Sequence, residues 1–559
     1  MLIDGRHACL DTLGNTMLAT IPERLFGGDA TLPVNAEQGW TVNAIDDVTF
    51  ADAGSQNSGS EPSFTFRNIS AESKWVVRTT SPDGETRNDT LQFTFLPLIQ
   101  LVGDFGYNYV QGTFVFSHPD SATTESFAAR IKWRGGTTNA KSKHKRNYKI
   151  NFDEDHRFFG LRNDDKWMLD AGQPDVFRMR NRIAMDLWHD MASKPYYAEQ
   201  EPKALNSVRG ALVEVFLGNE WRGVYNFSEM MDRKQLKLKK TDDKTGEIHG
   251  CLYKAVSYNK TNLLLPLEGY DNSKDTFLGF EMKYPDLDDS DTVDWRPLAD
   301  VVNTVIGFNK KEFTEHINEY FDVSVMRDMS LFYSVVNASD NIGKNTYWAV
   351  YDKAAGKCLT PAPWDLDATF GQRWGHVIAE EYYSPECTTD IDVMPFIYLY
   401  KYNCYDFNGQ LNSRYKAMRQ QGQVFDTDSL ISRVTKYYKA MKNSGAAKRE
   451  ETKWSGDSDV WGDVIDFDAE YEYICDWITK HMALLDSTTF PLYFTKEFFD
   501  AIDAQSIESL TQTQDGPSAI YNLSGQRIGQ EPPCPERQLR QPHLRPGIYI
   551  MNGKKIVIR

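Results

Sequence analysis

The hydrophobic period changes twice along this chain, and that change limits the fold more than any other feature. Before about residue 98, apolar and polar residues alternate in short runs: Ser63-Phe-Thr-Phe-Arg, Trp75-Val-Val-Arg-Thr and Leu91-Gln-Phe-Thr-Phe. Turn residues such as Ser81-Pro-Asp-Gly separate them. A period of two broken by turns at this spacing predicts a small Ig-like β-sandwich over residues 1–98. The Ser-, Gly- and Asn-rich stretch Ala53–Pro62 reads as a loop.

From residue 99 to 488 the texture is mixed. Helical spacing over Val176–Met191, Leu298–Ile306, Glu312–Tyr320, Val323–Val336 and Asp426–Met441 is interleaved with strand patterns. Those strands are Ala129–Trp133, Tyr148–Phe152, Ala211–Leu217, Gly223–Phe227, Asn345–Tyr351 and Cys358–Trp364. The fold class is therefore α+β, with a central domain large enough to house a cleft. Residues 489–559 return to period two in Ala519-Ile-Tyr-Asn-Leu-Ser-Gly-Gln-Arg-Ile and in Gly547-Ile-Tyr-Ile-Met-Asn-Gly-Lys-Lys-Ile-Val-Ile-Arg. They predict a small C-terminal β domain, with Asn552-Gly553 as a hairpin turn and a Pro-, Arg- and Gln-rich link over Gln530–Pro546.

Charge removes several function classes. With 79 acidic against 62 basic residues the formal net charge is −17. That argues against nucleic acid, whose binding needs basic surface, and against anionic lipid. It leaves nucleotides open, because Mg²⁺ or Mn²⁺ can bridge carboxylates to phosphates. No apolar run is long enough to span a membrane. The opening Met1-Leu-Ile-Asp-Gly-Arg-His lacks the basic and apolar regions of an export signal, so the expectation is a cytoplasmic protein or numbering that starts after such a signal. Seven scattered cysteines include no C-x-x-C pair, and ten histidines show no metal-ligand spacing. Neither a Gly-x-Ser-x-Gly elbow nor a Walker loop is present.

One stretch carries chemistry. An apolar helical run over Val323–Val336 leads into Ser339-Asp-Asn-Ile-Gly-Lys-Asn-Thr, where Asn345 follows Asp340 by five positions. A strand, a Lys-Ala-Ala-Gly turn and a second strand then deliver Asp365 and Asp367 in Pro363-Trp-Asp-Leu-Asp-Ala-Thr-Phe-Gly. Kinase catalysis uses these groups in this order: a carboxylate at the acceptor hydroxyl, an amide on a metal, then carboxylates on the metals that bridge phosphates. A plain reading, in which Asp340 and Asp365 are turn or capping residues, stands beside it.

The segment from Pro363 to Gly371 resembles the Pro-Trp-Asp-x-Asp-x-x-Phe-Gly signature of CotH kinase-like proteins, a spore-coat family with members on bacterial and fungal surfaces. Three further segments agree in order. Lys132-Trp-Arg-Gly-Gly with Lys145-Arg-Asn-Tyr-Lys-Ile is similar to the family's Arg-Gly-Asn-Ser and Lys-Lys-x-Tyr-Arg-Ile, with Gly136 in place of the family's Asn. Lys166-Trp-Met-Leu-Asp with Asp175-Val-Phe-Arg-Met-Arg-Asn follows, then Val213–Leu217 with Gly223-Val-Tyr-Asn-Phe-Ser-Glu. The resemblance implies Asp340 as the catalytic-loop carboxylate and Asn345, Asp365 and Asp367 as metal or phosphate-facing groups. It implies ATP with Mg²⁺ or Mn²⁺ as cofactors. One of Lys145 and Lys149 is expected at the phosphates, Arg134 with Gly135 and Gly136 in a turn over them, and Glu229 beside the strand lysine or the base. Lys254 and Lys283 are further candidates for the cleft. The C-terminal strands resemble β tails of exported Bacteroides-type proteins, which implies a secreted or surface-bound protein. The expected activity is phosphoryl transfer to a hydroxyl, on a protein. The alternatives are a kinase-like binding or adhesion protein without activity, and a carbohydrate-active enzyme with paired carboxylates.

Overall fold

A computed structural model of the chain describes residues 1–36, 39–47, 63–257, 266–287, 292–341, 343–356, 358–373, 377–378, 395–487, 519–522, 527–530, 547–551 and 554–558. The Ala53–Pro62 loop, the 531–546 link and the Asn552-Gly553 turn lie outside the described residues.

The first strands are β1 (Leu2–Ile3), β2 (Arg6–His7), β3 (Cys9–Asp11), β4 (Thr16–Thr20), β5 (Ala30–Asn35), β6 (Thr41–Asp47), β7 (Ser63–Phe66), β8 (Trp75–Thr80) and β9 (Thr86–Thr94). They form two sheets, ordered β2-β1-β5-β7 and β3-β4-β9-β8-β6. One residue in two along them is apolar, and these meet in a single cluster that includes Ile3, Val34, Phe66, Trp75, Val77 and Phe93.

A closed barrel follows. Its strands are β10 (Leu98–Val102), β11 (Val110–Ser117), β12 (Thr124–Arg134), β13 (Asn147–Arg157), β14 (Asn163–Asp170), β15 (Gly210–Leu217) and β16 (Glu220–Ser228). The order is β10-β11-β12-β13-β14-β16-β15, closed by a parallel pairing of β10 with β15. Ile131, Tyr148, Ile150, Trp167, Leu169 and Phe227 point inward and fill the interior. A barrel this narrow has room only for side chains, so its chemistry lies on the outer face.

The second sheet contains β17 (Cys251–Ala255), β18 (Thr276–Phe277), β19 (Phe280–Tyr284), β20 (Thr346–Val350) and β21 (Leu359–Pro363), in the order β18-β19-β17-β20-β21. Strand β21 reads Leu-Thr-Pro-Ala-Pro, and two prolines without N–H groups suit only an edge. Around the sheet pack α1 (Arg180–Met191), α2 (Arg233–Leu236), α3 (Arg296–Ile306), α4 (Lys310–Tyr320), α5 (Val323–Val336), α6 (Phe396–Tyr402), α7 (Phe407–Met418), α8 (Thr427–Asn443), α9 (Ala446–Trp454) and α10 (Phe467–Asp486). Residues of the sheet and of these helices share one apolar core. A short ribbon of β22 (Gln372–Arg373) and β23 (Val377–Ile378) comes after β21. At the C-terminus β24 (Ala519–Asn522), β25 (Arg527–Gln530), β26 (Gly547–Met551) and β27 (Lys554–Ile558) make a four-stranded sheet. Among the described residues no helix is long and apolar enough to cross a membrane.

Candidate active site

Helix α5 is capped at its start by the Asp322 carboxylate and stops at Asn337, whose left-handed backbone cannot continue it. The loop that follows is stitched to the loop after β21. Phe370 N–H donates to Val336 O at 2.8 Å, and Ser339 N–H to Ala368 O at 3.3 Å. Asn341 Nδ2 donates to the carbonyls of Asn345 (3.2 Å) and Trp364 (2.7 Å). Trp364 N–H donates to Asn345 O, and Asn345 N–H to Ala255 O at the end of β17, each at 2.9 Å. Asn345 and Asp365 have φ of 52° and 58°, a region Asn and Asp enter more readily than most side chains. The two loops thus form one platform.

On that platform the Asp340 carboxylate is held twice, by Lys344 Nζ at 2.9 Å and by Asn345 Nδ2 at 3.0 Å. Asp365 is exposed and Asp367 half-buried. Among the described residues neither carboxylate has a hydrogen bond or an ion pair. Burial pushes the Asp367 carboxyl well above the usual range, and the charges of Asp365, Asp340, Asp170 and Asp175 push it further. Asp175 is neutralised by Arg180 at 2.7 Å and Asp340 by Lys344 at 2.9 Å; Asp365 and Asp170 face Asp367 as like charges.

Asp170, the last residue of β14, comes from the barrel. Its Oδ2 accepts from Asn181 Nδ2 at 2.7 Å, and Asn181 Oδ1 accepts the N–H of Leu366, between Asp365 and Asp367, at 3.1 Å. One amide on α1 therefore ties the barrel carboxylate to the platform. Burial and the Asp365 charge raise the Asp170 carboxyl, opposed by the Gly172 N–H, Asn181 and Arg134.

Cations line the neighbouring wall. The Arg134 guanidinium lies 5.7 Å from the Trp364 ring centre and Lys254 Nζ 6.0 Å from it. Burial lowers the Lys254 ammonium to about 8 against the opposing pull of Asp365. On the barrel's outer face Lys132 pairs directly with Lys149, and Asn151 pairs with both Arg130 and Lys166. Among the described residues, Arg130, Lys132, Lys149 and Lys166 make no ion pair. Directly opposed like charges cost stability. Lys149 is pushed down to about 8 by burial, with repulsion from Lys166 and Lys132 added. Lys283 pairs with Glu281 at 2.6 Å and adds to the repulsion on Lys149 and Lys254. Gly135, at the turn after Arg134, has φ of 114°, and a Cβ there would lie 2.2 Å from Thr138 Oγ1; Gly136 has open space around it.

The alternation expected to hold Lys145 and Lys149 on one face stops at Asn147, where β13 begins, and the two lysines part. Lys145 is wholly buried against Glu450 of α9 at 2.7 Å and donates to Val224 O. Glu229 is also wholly buried, and its oxygens accept from Arg209, the Arg162 N–H and Gln235. No described contact joins Lys145 or Glu229 to Asp340, Asn345, Asp365 or Asp367. Asp170 and Asn181, which the sequence does not single out, each end a segment that carries the family resemblance, and the fold sets them beside the candidate residues. A third group, His144 with Asp457 and Asp459, gathers near Lys143, whose ammonium is 3.6 Å from Asp459.

A family model described as CotH kinase protein matches residues 131–485, which is more than half of the chain and contains Arg134, Asp170, Asn181, Asp340, Asn345, Asp365 and Asp367. The chain belongs to the CotH kinase family. The match begins inside β12 and stops within α10, so residues 1–130 and 486–559 fall outside it. No curated protein matches the chain. Among solved structures, a similarity is found to "Crystal structure of Dscam1 isoform 7.44, N-terminal four Ig domains", at 11% identity over 24% of this chain and 46% of that one. Its TM-score of 0.11 is too low to bear on the fold. As in the kinase-like family at large, use of ATP and a divalent cation is the suggested chemistry.

Proposed function

We propose that this CotH family member is a metal-dependent phosphotransferase that moves the γ-phosphate of ATP to a hydroxyl, on a protein. The observation that carries the reading is the pair Asp365 and Asp367, two carboxylates without a described counter-ion beside Asp340 and Asn345. Their all-oxygen donor set, with the Asn345 amide, suits Mg²⁺ or Mn²⁺. A cation held by Asn345, Asp365 and Asp367 supplies neutralisation of the phosphate charge.

The chain's own groups do the rest. Asp340, fixed in orientation by Lys344 and Asn345, takes the acceptor's proton as its oxygen bonds to the γ-phosphorus. The bond from that phosphorus to the β–γ bridging oxygen breaks, and its electron pair leaves on ADP. Arg134, Lys254 and Lys149 balance the polyphosphate. Lys145 and Glu229 serve the fold in this reading. Residues 1–98, 99–488 and 489–559 act as sandwich, kinase-like unit and tail, and the exported-type tail supports a secreted or surface-displayed protein.

The test is ATP consumption and protein phosphorylation by the full chain with Mg²⁺ and with Mn²⁺, alongside thermal melting with nucleotide. Metal-dependent turnover and a nucleotide-induced rise in Tm are expected. A wild type with neither overturns the reading and leaves a binding protein with a kinase-like site.

A further inference from the structure

We infer that Asp170 is a ligand to the divalent cation, so that the cation is held by carboxylates from both walls of the cleft. The inference rests on the phosphotransfer reading and adds to it a ligand from the barrel. Asp365 and Asp367 follow β21, whereas Asp170 closes β14 on the barrel. What brings them together is Asn181: its amide donates to Asp170 Oδ2 at 2.7 Å, and its carbonyl accepts the Leu366 N–H at 3.1 Å. A bridge of this kind fixes both the distance and the rotamer of the carboxylate, as groups behind metal ligands do.

The charges say what is missing. Asp340 has Lys344, and Asp175 has Arg180. Asp170, Asp365 and Asp367 make no ion pair among the described residues; Arg134 and Lys145 act on Asp170 and Lys254 on Asp365 from further away, and the field of these carboxylates acts on one another. Asp170 is not saturated either. Each of its oxygens accepts one described hydrogen bond, from Asn181 and from the Gly172 N–H at 3.2 Å. A carboxylate oxygen has two lone-pair sites, so one on each remains for a cation. Asp170 is thus tied through one amide to the loop that carries Asp365 and Asp367, keeps an accepting site on each oxygen and has no ion pair among the described residues; a divalent ion is the charge that completes it.

The experiment titrates Mn²⁺ into the full chain without nucleotide, by calorimetry and by the loss of the free-Mn²⁺ electron paramagnetic resonance signal. Asp170→Asn keeps a carbonyl oxygen that can accept the Asn181 amide but removes the charge. It is expected to weaken Mn²⁺ binding at least about tenfold, in the same direction as Asp365→Asn, with Tm of the metal-free protein unchanged or raised. Asp170→Ser, shorter and neutral, is the second variant and should show the same loss. Wild-type affinity in both folded Asp170 variants, with binding lost in Asp365→Asn, overturns the inference and leaves the phosphotransfer reading standing. A wild type that takes up no Mn²⁺ overturns both.

Discussion

Around Glu450 opposite charges meet, although burial and the second cation, Arg178, still push the Lys145 ammonium down to about 7. Lys145 lies 2.7 Å from one of its oxygens and Arg178 3.0 Å from the other, the Val224 N–H donates as well, and solvent is excluded. Around Asp367 the balance is reversed: like charges converge, Arg134 and Lys254 stand over Trp364 and make no ion pair with Asp365 or Asp367, and Asp365 is open to water. Both clusters join parts of the chain far apart in sequence, so distance along the chain does not separate them. Compensation does. A buried charge that serves the fold comes with its partner, because an unpaired one is too costly to keep. Charges left uncompensated persist where a ligand completes them.

Removing one partner from the sealed cluster should have the largest effect. Glu450→Ala leaves Lys145 and Arg178 buried and unpaired, and a loss of about 3–5 kcal/mol is expected from urea unfolding. An unchanged midpoint would break the contrast at its structural end. The open cluster should respond in the other direction. Asp365→Asn is expected to lower phosphotransfer at least about a hundredfold, roughly 2.7 kcal/mol of transition-state stabilisation, with stability unchanged or raised because repulsion is relieved. A turn-capping Asp would instead lose about 1 kcal/mol of stability, so melting curves of the variant decide between the two.

Next comes the wall. Lys149→Met should weaken ATP binding by about tenfold, equivalent to about 1.4 kcal/mol, and leave the metal-free protein as stable or slightly more so, since it removes a cross-strand like-charge pair. Equal nucleotide affinity in a fluorescence titration would detach Lys149 from the site. The smallest effect is a slope with pH. Lys149 titrates near 8 in the folded protein, below the usual 10.5 or so of an unfolded lysine. The unfolded chain therefore binds more protons across that window, and stability should rise as pH climbs from 8 toward 10.5; below 8 the cost of the charge is fully present. Lys254, lowered to about 8 as well, keeps part of the slope, so Lys149→Met should reduce it without abolishing it.

Much of this was legible in the sequence. The α5 pattern spans Val323–Val336 in the sequence, the bounds it has in the structure, and a strongly apolar period ends there at a residue able to turn left-handed. The strands around Asn345 and Cys358 were visible as β-rich runs on either side of a Gly-bearing turn. The closing of the barrel was not, since pairing of β10 with β15 joins segments with no local signal for one another. Helices α6, α7, α9 and α10 carry no clear period in the sequence, α10 among them although it runs from Phe467 to Asp486, because aromatic and charged residues blur it. Among the candidate residues, Asp340, Asn345, Asp365 and Asp367 follow from local order. Asp170 and Asn181 are set beside them by tertiary contacts, and no spacing rule reaches from β14 to the loop after β21. Lys145 shows the opposite hazard: the alternation that would put it on one face with Lys149 does not reach it, since β13 begins at Asn147.

The barrel's final seam has a consequence for how the protein comes off the ribosome. Strand β10 waits from Leu98 until Glu214 emerges, and β14 has no second neighbour until β16 is made through Ser228. During that interval two strands present bare N–H and C=O rows, the kind of edge that recruits other chains. Fragments cut between β14 and β16 would keep both edges for good, so soluble pieces of this molecule should be sought with boundaries beyond Ser228, never within the unclosed ring.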